Sequence, residues 1–531
     1  MRDTDSPLKP SKRHPLRWLL LLLLLAAGVA AWRLYDTREH QRLAAENLIA
    51  GRAAAAQPHL DALRGRTIWL PAIAKDDVAR KLFASGHYAE FLGYDAASQE
   101  RDEAPDVALY RAAANLATNH VDAAATAFRA IDRAHVDVKK VAALEQAIAE
   151  RRAGSVPYVF DRNGAPIAAW RVASNDVVAT NAEFAPLIDT SAGQLTIGAN
   201  AARLGTNATL DTTLDPAVQR AAVAALGSYR GSLVAIDPRT NEILAIASMR
   251  GNGKLANLAL ESQYEPGSVI KVLTALNAYQ SGFDVTSMFP YTCKGDLLID
   301  GRHFGDWLGN GHGVLPSLDE ALAESCNIVF ADLGLRLGVD RLRAFMTAAG
   351  FDSQTDLGFA KVPLGKTVGQ IFNRYETGFY AIGLEHESIN ALHLAMIASM
   401  VANRGTLAQP RLLLARRSIL GESSSASAPP PATRLASAAA TEQVVRAMET
   451  VSTSPKGTGR RAKIDGLTIA MKTGTAGKRE NGYQALIVCL APAEHPTIAF
   501  GLIAESAGPA EYAGAKIARD FLTALRVDRR L

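Results

Sequence analysis

Pro266-Gly267-Ser268-Val269-Ile270-Lys271 decides how the rest of this chain is read. It opens a helical pattern over 268–281, so Ser268 and Lys271 lie three apart on one helix face. Two more short motifs follow. Ser325-Cys326-Asn327 falls inside a second helical pattern, 317–349. Lys472-Thr473-Gly474-Thr475 ends a strand pattern that starts at Leu467. Each motif alone is weak. Ser6 and Lys9 meet the first spacing too, in a basic tail where no site can form. The three together, in order and in fitting contexts, are a strong signal.

The residue types fit acyl transfer. Ser268 near a helix N-terminus sits where the dipole favours a developing oxyanion. A neutral Lys271 would take the Ser268 proton, which needs a lysine lowered by burial and by a neighbouring cation. Lys472 is the candidate for that cation. Ser325 can relay a proton to a leaving group, and Asn327 offers a donor and an acceptor to a peptide amide. Thr473 and Thr475 can bind a substrate carboxylate, and Gly474 permits close backbone approach. The backbone N–H groups of Ser268 and Thr475 are the candidate oxyanion hole. Bland roles exist for each motif taken singly: Ser325 as a helix cap, Asn327 as a capping amide, Lys472 as a surface lysine at a strand end. They do not explain the ordered set. Cys326 reads as a buried, unreactive thiol, and His312 as a turn or packing residue.

Around these motifs, residues 206–531 form one predicted α/β (α+β) unit. Leu233–Pro238 and Ile243–Ala247 read as a hairpin, and strands return at Leu467–Thr473, Ala485–Leu490 and Thr497–Ala504. Helical patterns fill 268–281, 317–349 and 388–403, and a last one covers Tyr512–Leu525. Strands at both ends with helices between imply a sheet that gathers both ends of the segment. Glu422–Ala440, rich in Ser, Ala and Pro, reads as a surface loop. Residues 154–205 read as a connector. Residues 33–153 are helical in pattern, and Gly86-His87-Tyr88-Ala89 is echoed by Asn119-His120-Val121-Asp122. The offset, 119 − 86 = 33, is near the tetratricopeptide period. A plain alanine-rich bundle fits equally well.

The first seventeen residues form a basic tail with Arg2, Lys9, Lys12, Arg13 and Arg17, followed by an apolar run over 18–32. As a helix that run rises roughly 22 Å, short but able to span. The charge places Met1 in the cytoplasm and the bulk of the chain outside, on the periplasmic side of a cytoplasmic membrane. The other reading is a cleaved signal peptide, with Val29 and Ala31 at the cleavage site. Both export the rest. A net charge of +4 over 531 residues, with no basic stripe beyond the tail, argues against nucleic acid. Three cysteines are too few for a disulfide framework, and eleven scattered histidines show no metal-ligand spacing.

The chain resembles the high-molecular-mass penicillin-binding proteins, specifically their D,D-transpeptidase domain, over about 206–531. Beyond the three motifs, Leu214-Asp215-Pro216, Tyr264-Glu265-Pro266, Asp306-Trp307 and Gly311-His312-Gly313 carry the likeness. The resemblance implies a mainly antiparallel sheet flanked by helices, like that of serine β-lactamases. It implies an acyl-enzyme on Ser268, no cofactor and no metal. The implied partners are peptidoglycan stem peptides ending in D-Ala-D-Ala, β-lactams, the membrane, and wall-synthesis proteins met through the helical region. Two departures stand out. Gly383-Leu384-Glu385 replaces the family's Gly-Gln-Gly, and Asn390-Ala391 replaces its Thr-Pro. Residues 33–205 show no glycosyltransferase signature, which favours a monofunctional enzyme. The rivals are a D,D-carboxypeptidase or β-lactamase on the same site, and a penicillin-sensing or non-catalytic scaffold.

Overall fold

A computed structural model describes residues 15–50, 52–63, 72–97, 104–250, 255–425, 432–477, 480 and 482–528. Most of the basic tail therefore lies outside the described residues, as does the 426–431 part of the expected surface loop. The chain divides into two compact units. The first is Met1–Ala153 with Ile419–Glu422, and the second is the remainder.

The first unit is helical. Its opening helix, Pro15–Ile49, does not stop at the expected end of the apolar run. Nothing after Trp32 breaks a helix: residues 33–49 hold neither Gly nor Pro. Leu19–Leu25 are exposed, whereas Ala44, Ala45 and Leu48 are buried. Leu19–Leu48 is long and apolar enough to cross a membrane. Later helices include Ala72–Ala84, Tyr88–Ala97, Pro105–Ala117, Val121–Arg129 and Val138–Ala153. Their starts repeat: 105 − 72 and 138 − 105 both give 33, as does 121 − 88. Gly86 and Asn119 hold the same place in successive turns, both at positive φ, as helix-ending residues do. Phe83 stacks on Tyr110 at 4.6 Å and joins one copy to the next.

The second unit is built on a five-stranded sheet. Its strands are β1 (Gly231–Asp237), β2 (Glu242–Met249), β3 (Ala470–Ala476), β4 (Gln484–Ala491) and β5 (Ile498–Ala504). Their order is β3-β4-β5-β1-β2, all antiparallel, so both ends of the segment meet in one sheet. The flanking helices include α1 (Lys271–Gln280), α2 (Asn327–Leu337), α3 (Ala391–Ala402) and α4 (Ala513–Val527). β1 and β5 are buried at every residue, which is why they read as unbroken apolar runs. Phe500 meets Phe521 of α4 at 5.1 Å, and Gly501, facing the other way, meets Leu394 of α3. Edge strand β3 carries Lys472 to Thr475.

Residues 154–205 do not stand apart. Ser155–Phe160, Pro166–Arg171 and Asp176–Ala179 join Ala208–Thr212, Leu413–Ser418 and Ser423–Ser425 in a six-stranded sheet. The helical pattern over 317–349 is three helices, Leu318–Ala323, α2 and Val339–Ala348. Ser325 at φ 60 and Gly338 at φ 83 leave helical space and break it.

Candidate active site

Ser268 lies in a single 3-10 turn, Gly267–Ile270, that feeds directly into α1. Its backbone is wedged between two neighbours. Gly383, at φ 81, accepts the Gly267 N–H at 2.7 Å, and a Cβ on Gly383 would lie 2.2 Å from Gly267 O. On the other side β3 presses in. A Cβ on Gly474 would lie 2.9 Å from Pro266 O, so only glycine lets the strand approach the turn. Gly474 thus does not line the cleft. It sets the distance between Ser268 and Thr475.

Lys271 is the first residue of α1 and fully buried. Its Nζ donates to Ser325 O at 2.7 Å and to Asn327 Oδ1 at 2.7 Å, with a longer bond to Ser325 Oγ at 3.4 Å. Lys472, also fully buried, donates to Ser325 Oγ at 2.9 Å and to Thr473 O at 2.7 Å. The Ser325 hydroxyl therefore sits between two amines, with its own proton left to give.

Burial lowers Lys271 to about 8. Burial lowers Lys472 well below the usual lysine range, and the Lys271 charge lowers it further. The repulsion is mutual: with both amines on the Ser325 hydroxyl, a charge on either one disfavours a charge on the other. Two buried amines bridged by one hydroxyl share a single positive charge more readily than they hold two.

A buried ionic chain supports the Ser325 turn. Asp306 Oδ2 accepts the N–H of Asn327 at 2.9 Å and of Ile328 at 3.4 Å, capping α2. His312 bridges Asp306 Oδ1 at 3.2 Å and Glu324 Oε2 at 3.0 Å. Burial alone would lower His312, but its bonds to Asp306 and Glu324 raise it overall. His312 is thus an ionic bridge rather than a simple packing residue. Nothing in the sequence joins it to Glu324.

Ser268, Ser325, Asn327, Thr473 and Thr475 line one cleft of about 350 Å³. Trp307, Leu384, Thr458, Tyr483, Pro509 and Glu511 complete it, and sequence reasoning named none of these as site residues. Leu384 is the apolar replacement noted above, and it faces the cleft. Thr473 Oγ1 donates to Thr458 Oγ1 at 2.6 Å, which fixes its rotamer. Thr475 Oγ1 accepts the Ala510 N–H at 3.0 Å, so its proton is free for an anion.

Residues 231–525 match the model of the penicillin-binding protein transpeptidase domain, more than half the chain. This chain belongs to the penicillin-binding protein transpeptidase family. It is of the high-molecular-mass class B kind. Its relatives include the peptidoglycan D,D-transpeptidase PbpA of Mycolicibacterium smegmatis, 31% identical over 340 residues, 56% of this chain and 67% of that one. They also include MrdA of Acinetobacter baumannii, 29% identical over 55% of this chain and 50% of that one. Among solved structures, the D,D-transpeptidase domain of a peptidoglycan glycosyltransferase from Eggerthella lenta superposes with a TM-score of 0.63. It is 24% identical and spans 71% of this chain and all of that one. Penicillin-binding protein A from M. tuberculosis, solved as a ceftriaxone acyl-enzyme complex, gives 0.60 at 24% identity, over 70% and 98%. At these identities the structural likeness speaks for the fold.

Proposed function

We propose that this penicillin-binding protein is a peptidoglycan D,D-transpeptidase that works through an acyl-enzyme on Ser268. One observation carries the reading. A serine on a rigid turn faces the cleft that Ser325 and Asn327 line, and two buried lysines hold those residues from behind. Neutral Lys271 takes the Ser268 proton as Oγ attacks the penultimate D-Ala carbonyl of a stem peptide. The oxyanion meets the backbone N–H groups of Ser268 and Thr475. The C–N bond breaks, and the terminal D-alanine leaves with a proton relayed through Ser325. Thr475 and Thr473 hold its carboxylate, and Lys472 supplies the field. An acceptor amine then attacks the ester, the reverse relay takes its proton, and Ser268 is restored. A β-lactam enters by the same attack and stays.

The Pro15–Ile49 helix anchors the chain in the cytoplasmic membrane, with the second unit on the periplasmic side. The 33-residue repeat of the first unit makes it a tetratricopeptide-like docking module for wall-synthesis proteins. The reaction is tested with a peptide ending in D-Ala-D-Ala and a second D-amino acid as acceptor. The expected product carries the acceptor in place of the terminal D-Ala. Release of D-alanine with hydrolysis alone would replace transpeptidase with carboxypeptidase.

A further inference from the structure

The proposed reaction leaves two buried thiols unused. Cys293 ends the strand Tyr291–Cys293, and Cys326 stands between Ser325 and Asn327. Both are buried, and their sulfurs lie 3.3 Å apart, with Cys326 donating to Cys293. Each belongs to a fixed element. Cys293 pairs with Gly313 across a two-stranded ladder, and Cys326 caps α2, its Sγ accepting the Val329 N–H at 3.4 Å. The third thiol, Cys489, sits in β4 against Leu490 O. Cys293, Asp306 and Cys326 are close enough to bind a metal together. The Asp306 carboxylate, however, already accepts the N–H groups of Asn327, Ile328 and Leu308 and meets His312.

We propose that Cys293 and Cys326 join as a disulfide in the mature protein, and that this bond locks the Ser325 turn in its working geometry. The proposal rests on the periplasmic placement given above, because an oxidising compartment sustains such a bond. An S–S bond is about 2.05 Å long, so the sulfurs close by about 1.3 Å. The turn needs fastening. Ser325 holds φ 60, a region that costs a non-glycine residue, and both lysines take their bearings from it. A covalent tie at the very next residue fixes that conformation.

The bond forms during folding, by exchange with a disulfide-bearing protein oxidant. Cys293 is the first to attack, as a thiolate, while both thiols are still open to solvent in the folding chain. It attacks the oxidant's disulfide and releases one oxidant thiolate. The Cys326 sulfur then attacks Cys293 and displaces the other. Two thiols lose two electrons and two protons, and the oxidant leaves as a dithiol.

The full-length protein, exported and purified without reductant, is denatured in iodoacetamide and mapped by mass. The expected map links the Cys293 and Cys326 peptides and shows Cys489 alkylated. β-Lactam acylation is then timed before and after reduction. Reduction is expected to slow it about tenfold, by loosening a positioned group. Cys293→Ala should start slow and ignore reductant. Alkylation of both thiols, before and after refolding with oxidised glutathione, overturns the proposal, as does stoichiometric zinc on them. A linked pair whose reduction leaves the rate unchanged overturns the lock. Failure of the proposed function looks different: no acylation in any redox state, with the mass map still reporting the bond.

Discussion

The Ser268 turn and the Ser325 turn face one cleft but are held by different physics. Backbone atoms and absent side chains fix the first: Gly383 and Gly474 let two segments close on Pro266 and Gly267 with no room to spare. Buried side chains fix the second: Asp306, His312 and Glu324 on one side, Lys271 and Lys472 on the other. Steric confinement is insensitive to pH and fails when a methyl group is added. An ionic cage is the reverse. Ser268, the proposed nucleophile, thus stands on the rigid element, and Ser325, the proposed proton relay, stands on the titratable one.

Mutations and pH should separate the two. Lys271→Ala removes the base and leaves the Ser325 carbonyl and Asn327 amide without their donor. Acylation by one β-lactam is expected to slow by about 10²- to 10⁴-fold, read as a second-order rate. Asp306→Asn keeps the shape but strips the charge that raises His312. Breaking a buried ionic network typically costs about 3–5 kcal/mol, so urea unfolding should show a loss of that order. A near-neutral result would mean that the Ser325 turn is steric too. Gly383→Ala probes the other turn. Its Cβ would meet Gly267 O at a residue with φ 81, and a loss of about 1–3 kcal/mol is expected, equal at pH 7 and pH 9.

pH gives the smallest effect. Lys271 must be neutral to act, and burial lowers it to about 8. Acylation should rise about tenfold from pH 7 to pH 9 and level off above. Stability should rise in the same sense between about 8 and the unfolded value of 10.5, where only the unfolded chain still binds that proton. A rate that falls through this range would give the base role to another group.

The places of Ser268, Lys271 and Lys472 and the five sheet strands were legible because local pattern encodes them. The Ser-x-x-Lys spacing places Ser268 and Lys271 within one turn, and unbroken apolar runs announce doubly covered strands. Four features were not legible, for one reason. The break at Ser325 is imposed by a tertiary network that overrides a good helical pattern. The His312 bridge and the Cys293–Cys326 contact join residues 12 and 33 apart through folds no local window shows. Leu384 reads as any apolar residue until the cleft forms around it. The opening helix overran its expected end because polar helix formers continue it as well as leucines do.

The proposed reaction requires Ser268 to be the acylated nucleophile. Purified full-length protein is treated with a fluorescent penicillin, and its intact mass and its labelled peptide are measured beside Ser268→Ala. One adduct per chain is expected, on the peptide that holds Ser268, with no covalent label on the variant. A label that persists in Ser268→Ala, or that maps to another residue, would contradict it.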